Sequence, residues 1–457
     1  MKFIFLPNSI SPKLLTILAA LFIGFFCFLE TGIIPPLQSP DERDHLKRAY
    51  WLSKGEFFLK TPAGEVSGGF VDSGLENYLE YCSRYDRHTD KKIAQNDLNI
   101  IRNFQWTADK TFTVAPGTGY YFPILYTPQA IGLSIGEYTH LSIDNSYRLA
   151  RLMSAIIACF IIIAAFAISA PNALVLALLA IPMTLFQIAA ASLDGMATAV
   201  TILALAVFCQ TKRLASHTPP ALLYTLSISV TLVAACRLHA LPILLLPFMA
   251  WIYTKRKNVL WQTLSCTAFV IGWTLLAMKM TISNPHPDTS VHEKLLGIFL
   301  HPLHFAHLIV NTIADPGKQN FYICSFLGDL GWLDTLFPTK FYEALTLLLL
   351  VITLLCLPWK NQRETWISSG IMAGMSLASC LLIFMALYLA WTPANASEIE
   401  GIQGRYFLIP ALFLAYALGE LKITRRSLCA FSLFAVLFLF STYSMISVLL
   451  TRYYIVS

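Results

Sequence analysis

The chain offers about eleven runs of mainly apolar residues, near 14–34, 147–168, 172–191, 195–211, 220–237, 239–254, 259–279, 342–359, 365–391, 406–420 and 428–450. A helix needs about 20 such residues to cross the hydrocarbon core of a bilayer. A chain that repeats the pattern this often has lipid as the solvent for much of its surface, so its spans must be helices that satisfy their own backbone. Composition agrees: 13% of residues are charged and 56% hydrophobic, against about a quarter charged in soluble domains. The expected fold is an all-α polytopic membrane protein, one integral-membrane domain over residues 1–457. The net charge of +6 is distributed by topology and not along one face, which excludes a nucleic-acid binder. The first run is too long for a cleaved signal peptide and ends in "ETGIIPPLQ" without a small-x-small site.

The connections give orientation. Lys2 and Lys13 precede the first run; "TKRLASH", "YTKRKN", "WKNQRE" and "LKITRRS" follow the fourth, sixth, eighth and tenth. Lys and Arg in short loops are retained in the cytoplasm, and with alternating spans all five clusters fall on one side. The N-terminus is then cytoplasmic, and three segments lie outside: 35–146, 280–341 and 392–407. Loops longer than about 15 residues in a compact protein are usually functional or disordered, and the aromatic content of these argues for packing on the membrane surface. "YFPILYTPQAIGLSIGEY" (121–138), broken by Pro123 and Pro128, reads as a helix in or dipping into the interface.

Ten cysteines are scattered without CxxC pairs, so no zinc or iron–sulfur site is signalled. Cys82 and Cys324 fall outside the apolar runs and are the two positioned to form a disulfide. His301, His304 and His307 have helical spacing but no carboxylate beside them, and interfacial packing suits them better than a metal. Asp329 and Asp334 around Trp332 shape a surface loop. Asn395 begins a formal glycosylation sequon that carries little weight in a bacterial chain.

The segment "SPDERDHLKRAYWLSKG" (39–55) concentrates charge directly after the first run. Ser39 and Glu42 fit a capping box, with Pro40 at the first helical position and Lys54-Gly55 as a stop. One reading is a short juxtamembrane helix whose charges simply face water. The other notes that Asp41 and His45 share a helical face, with Arg48 in reach. A carboxylate at the lipid–water boundary is where a base would activate a hydroxyl against a lipid-borne substrate. "SLDG" (192–195) and "GIQGRYF" (401–407) bring further polar groups to the same boundary.

That segment resembles the P-D-E-x-x-H-x-x-R-A stretch of a bacterial membrane-protein family, the domain of unknown function 2142. The likeness continues in order through "YYFPILYTPQAIGLSIG", "YRLARLMS", "IPMTLFQIAAASLDG", "LGDLGWLDTLFP" and "IQGRYFLIP". The family in turn resembles the GT-C class of integral-membrane glycosyltransferases, which take sugars from polyprenyl-phosphate carriers. The resemblance implies a GT-C-like layout with juxtamembrane helices in a large first external loop. It also implies Asp41 as the acidic catalytic residue, with Glu42 and His45 beside it, and Arg405 as the contact to the lipid phosphate. Gln403 and Tyr406 flank Arg405 and are read with it as substrate-binding; Asp194 matches a second acidic residue at an external span end. Arg48, Arg148, Arg151 and Arg237 complete the candidate substrate contacts. The bland alternative for Arg148, Arg151 and Arg237 is anchoring at headgroups. A lysine that some relatives carry before the position of Tyr126 is missing, which leaves the donor headgroup open.

The implied function is transfer of a sugar from a polyprenyl-phosphate donor to a cell-envelope glycan or polymer, at the outer face of a bacterial inner membrane. Membrane lipid is the surrounding partner and no nucleic acid is expected. No cofactor is called for, although an acidic pair leaves room for a divalent cation. A lipid-linked-glycan flippase or transporter would instead gather ionisable groups near the midplane in two similar halves, a pattern this chain lacks. A polysaccharide ligase or a non-catalytic scaffold differs in product rather than in sequence.

Overall fold

The computed structural model describes residues 11–283, 290–357, 363–393, 395–419 and 424–455. Lys2 and parts of the basic "WKNQRE" and "LKITRRS" loops lie outside the described residues. The first helix, α1 (Pro12–Ile33), starts where Ser11 accepts the Leu14 N–H at 3.1 Å and Pro12 takes the first helical position. Its phenylalanines 22, 25 and 28 are exposed while Ala19, Ala20, Ile23 and Cys27 are buried, the one-sided burial of a helix that faces lipid.

Among the described residues, seven helices are long and apolar enough to cross a membrane: Pro12–Ile33, Ile143–Ile168, Leu193–His217, Lys257–Met280, Thr339–Cys356, Trp366–Ala390 and Arg425–Tyr453. An eighth candidate is the pair Val291–Leu300 and Pro302–Ala314, bent by 101°, in a stretch the sequence reading assigns to the second external loop. Against the expected eleven, the described residues hold seven, or up to eight, helices that meet this test of length and composition. The remaining apolar runs fold into shorter helices, and their sequences say why. Pro182 splits the third run into Ala173–Ala180 and Pro182–Ala189, every residue of both being buried. Pro242 sits inside a 3-10 stretch that leads into Leu245–Thr254, and a proline there removes a helical hydrogen bond. Pro220–Cys236 and Gly404–Ala417 are simply short.

Leu193–His217 is the most enclosed of the long helices, 78% buried over its apolar window. It runs from Asp194 at one end of the bundle to Lys212 and Arg213 in its last helical turn. At that second end the basic loops meet. Arg256 donates to the Ser216 carbonyl at 2.7 Å, Lys212 donates to Ser368 at 2.5 Å, and Arg426 donates to the Leu354 carbonyl.

The opposite end carries α2 (Glu42–Ser53) and a cover that is not purely helical. Strands β1 (Gly68–Asp72) and β2 (Lys110–Val114) pair antiparallel, Phe70 opposite Phe112, a small ribbon in a nearly all-α chain. Short alternation of aromatic and β-branched residues suits a half-buried pair, and glycines let it sit close. A Cβ on Gly68 would lie 2.0 Å from the Thr113 carbonyl oxygen, and one on Gly69 would lie 2.6 Å from the Trp51 indole nitrogen. Trp51 and Lys47 tie α2 to this ribbon through hydrogen bonds to the Phe70 carbonyl (3.1 Å) and the Thr113 hydroxyl (2.7 Å). The 121–138 segment forms a 3-10 turn and then the helix Thr127–Tyr138, about 18 Å long and too short to span. Gly132 and Gly136 allow it to lie against Ala150 and Ser146 of the helix Ile143–Ile168. Cys82 and Cys324 are buried free thiols, not a disulfide.

Candidate functional site at the start of α2

The turn between α1 and α2 is held from inside. Glu42 is fully buried, and its carboxylate accepts hydrogen bonds from the Ala191 N–H at 2.7 Å, Tyr147 at 2.9 Å, Arg151 at 3.1 Å and the Ser39 N–H at 3.3 Å. Arg151 uses its remaining donors on the carbonyls of Thr31, Ile34 and Pro35. The pair thus satisfies the last turn of α1 and the loop beyond it, where helix-end carbonyls lack partners. Arg151 was expected to contact substrate or to anchor at headgroups; instead it holds Glu42. Glu42, expected among the catalytic group, is enclosed by that network.

The expected Ser39 cap also differs. Only its reverse half forms, from the Glu42 carboxylate to the Ser39 N–H, and the Ser39 hydroxyl is buried without a partner. α2 begins two residues later than the Ser39 cap implies, because Asp41 adopts a left-handed conformation, φ 62°, and provides no side-chain cap. Asp tolerates that region better than most residues, yet a non-glycine residue held in it costs on the order of 1–3 kcal/mol. The conformation turns Asp41 toward Arg405, which pairs with its carboxylate and also donates to the Pro40 carbonyl at 3.2 Å. The stop at Lys54-Gly55 is as expected, with Gly55 at φ 77°.

From Asp41 a chain of alternating charge runs inward. Arg405, whose side chain is 3% exposed, reaches Asp41 with one nitrogen and Asp194 at 3.5 Å with another. Asp194 sits in the first turn of its helix, where the dipole favours an anion, and pairs with Arg237. Arg237 lies 4.9 Å from the Tyr121 ring centroid and donates to its hydroxyl at 3.3 Å. Gln403 accepts from Arg405 Nε at 2.7 Å, and the guanidinium stands 5.2 Å from the Tyr406 ring centroid. Two cations and two anions are held with one carboxylate, Asp41, half exposed. Below the pairs, Thr184, Gln187, Asp194 and His239 border a cavity of about 20 Å3, room for roughly one water.

Burial alone would raise the Asp41 carboxyl, but the Arg405 guanidinium beside it, with His45 acting the same way, holds it below the usual carboxylate value. His45 faces inward and not toward the open side: it is 3% exposed and shares a 2.7 Å hydrogen bond with Tyr126. Burial first, then the charge of Arg237, push its imidazole down to about 4, so the ring is neutral at pH 7. His45 is therefore placed to orient Tyr126 beside the cluster. Asp44, one turn after Asp41, is pushed up to about 6 by burial, against the opposing charge of Lys47.

The other arginines sort differently from expectation. Arg48 is buried and donates to the Phe57 carbonyl at 2.6 Å and the Glu56 carbonyl at 3.4 Å, which fixes the chain leaving α2. Arg148 pairs with Asp144 at 2.7 Å, one turn back on its own helix, so it contacts neither Asp41 nor Arg405. Asp334 pairs with Arg452 at 3.0 Å, joining its loop to the last helix. His301, His304 and His307 are exposed, and no group of three potential metal ligands occurs among the described residues. Tyr121 and Tyr126 are site neighbours the sequence reading did not single out as site residues. Tyr121 and Tyr126 lie in "YYFPILY", but a tyrosine in an apolar run gives no signal of which charge it will meet.

No curated protein and no solved structure matches the chain. The match to a family profile runs over residues 22–415, from within α1 to the helix that follows Arg405, and so includes every charged residue of the cluster. The chain belongs to the family described as predicted membrane protein, DUF2142.

Proposed function

We propose that this chain is a GT-C-like glycosyltransferase that moves a sugar from a polyprenyl-phosphate donor to a cell-envelope glycan at the outer face of a bacterial inner membrane. The observation that carries the reading is the Asp41–Arg405–Asp194–Arg237 chain at the end of the helix bundle, with Asp41 its one half-exposed carboxylate. In this reading the α2 end is external, the basic loops are cytoplasmic, and the shorter helices complete about eleven passes as broken or tilted crossings.

An apolar groove supports a lipid-borne donor. It has a volume of about 950 Å3 and is bordered by Leu174, Leu178, Leu349, Trp366, Leu414 and Phe326. Phe326 also borders the cavity beneath Arg405 and Asp194, so the groove and that cavity share a wall residue. An isoprenoid chain in the groove puts its phosphate near Arg405, whose planar fork suits phosphate oxygens. As that phosphate engages Arg405 it competes with Asp41, and a carboxylate released from the guanidinium is a stronger base. Asp41 then accepts the proton of the acceptor hydroxyl while the hydroxyl oxygen bonds to the anomeric carbon. The bond from that carbon to the phosphate oxygen breaks, and its electron pair leaves with the lipid phosphate. A single displacement inverts the anomeric centre, and a leaving group already anionic needs no acid.

The test is transfer by the full chain in proteoliposomes with a radiolabelled polyprenyl-phosphate sugar. Removing a general base typically costs 10²–10⁴-fold, so Asp41→Asn is expected to lose about a hundredfold or more. Undiminished transfer by well-folded Asp41→Asn removes Asp41 from the chemistry. Product mass separates one added sugar from a whole transferred glycan, the mark of a ligase.

A further inference from the structure

Beside the charged cluster lies a second cleft, of about 440 Å3, in the size range of small-ligand sites. Phe321, Tyr322 and Trp332 stand in its wall, and Arg87, Lys318 and Glu400 are its charged groups. Two links tie it to Asp41. Gln403 borders the cleft and accepts from Arg405, the partner of Asp41. Trp332 donates its indole N–H to the Leu37 carbonyl at 3.0 Å, and Arg43, two residues after Asp41, stands 5.6 Å from the Trp332 ring centroid. One wall of the cleft is thus positioned by the turn that presents Asp41.

The chemistry of the lining narrows the ligand. A wholly apolar guest would leave the charged groups desolvated without partners. A strong anion would need surplus positive charge, but Lys318 is paired with Glu398 and Glu400 adds a carboxylate. Aromatic faces interleaved with balanced donors and acceptors suit a ring with one C–H face and a rim of hydroxyls. Gly401 keeps the edge of the cleft close: at φ 77° it has a left-handed backbone, and a Cβ there would lie 2.8 Å from the Trp391 ring.

We propose that this cleft is a saccharide subsite, and that it holds the acceptor with its hydroxyl toward Asp41. Saccharide binding stands on the cleft alone; its assignment to the acceptor rests on the transferase reading. The full chain in nanodiscs is titrated with soluble tetrasaccharides of hexose and of N-acetylhexosamine, followed by calorimetry. One class is expected to bind, with Trp332→Ala weakening it at least about tenfold, the loss of one aromatic contact and its buried area. Glu400→Gln, an exposed change that leaves packing intact, is expected to weaken it severalfold. In the transfer assay both variants raise the acceptor KM and leave the donor KM unchanged. Failure of both tetrasaccharides to bind wild type, or binding indifferent to both substitutions, overturns the subsite. A rise in donor KM instead overturns its assignment to the acceptor. Saccharide binding together with full transfer by Asp41→Asn sinks the proposed chemistry while leaving the subsite standing.

Discussion

Asp41 and Glu42 are neighbours in one motif, each meets an arginine from a distant helix, and the two pairs do opposite things. Glu42 and Arg151 are 0% and 1% exposed, and their hydrogen bonds close on each other, on Tyr147, on the Ala191 N–H and on carbonyls at the end of α1. Asp41 is half exposed, meets Arg405 from a left-handed turn, and leaves part of its carboxylate open. A closed pair with every lone pair used is a latch. An open pair held at some backbone cost is a place where something else can bind, because strain of that kind persists where the surroundings over-determine it. If Asp41 is the base proposed above, these adjacent acidic residues divide structure from chemistry, and the sidedness of the helix start decides which does which.

The comparison breaks most visibly if the latch is removed. Glu42→Ala leaves Arg151 buried without its partner, and breaking a buried pair from one side costs about 3–5 kcal/mol. The expected outcome is a large fall in thermal stability in detergent and poor recovery of folded protein, with Arg151→Ala behaving alike. If Glu42→Ala melts like wild type, the network around it is not what holds the α1–α2 turn. Asp41→Asn should do the reverse. Asn tolerates the left-handed region as Asp does, and Arg405 keeps Asp194 and the Pro40 carbonyl, so stability should change by less than about 1 kcal/mol while transfer drops by about a hundredfold. Equal stability losses for the two variants would erase the distinction.

The class of fold was legible because bilayer thickness leaves a direct trace in sequence, a run of about 20 apolar residues. Pro182 marks the split of 172–191 in the sequence itself, whereas the shortness of 220–236 and 404–417 was less legible, since a buried short helix and a span have the same composition. The β1–β2 ribbon escaped because each strand is five residues long and depends on Gly68 and Gly69 making room for Thr113 and Trp51. In the site, Asp41, Asp194, Arg237 and Arg405 were all among the residues singled out, by their place at the ends of apolar runs and, for Asp41, Asp194 and Arg405, by what the family resemblance implies. Their pairing was not readable, because Asp41 and Arg405 are 364 positions apart and nothing local encodes that contact. Arg148 and Arg151 show the same limit: three residues apart on one helix, they serve Asp144 and Glu42 separately.

Arg405→Gln sharpens the open half of the comparison through pH. Arg405 holds the Asp41 carboxyl below its ordinary value against the upward push of burial. Without the guanidinium that push is unopposed by its main counterweight, so the Asp41 value must rise. The acidic limb of the rate profile, where a base is lost to protonation, should then move to higher pH. The donor KM should rise by roughly ten- to a hundredfold for one lost charge-assisted contact of about 1.5–3 kcal/mol. A raised KM with an unmoved acidic limb would leave Arg405 as a donor contact only and sever it from Asp41.

The smallest expected effect tests whether the chemistry belongs to Asp41 or to the next turn of α2. Asp44 has a folded value of about 6 against an ordinary 3.8, chiefly from burial. A carboxyl raised on folding binds more protons in the native state, so it lowers stability as pH climbs from about 4 through 6, and the cost is complete above that. Asp44→Asn removes the cost. The variant should be more stable than wild type by about 1 kcal/mol at pH 7, the shift being discounted for partial exposure, and the difference should shrink toward zero near pH 4. Transfer should stay within about twofold of wild type, because Asp41 and its Arg405 partner are unchanged. If transfer instead falls as far as in Asp41→Asn, the base lies one turn further along the helix. Asp41 would then serve only to hold Arg405 until the donor phosphate arrives.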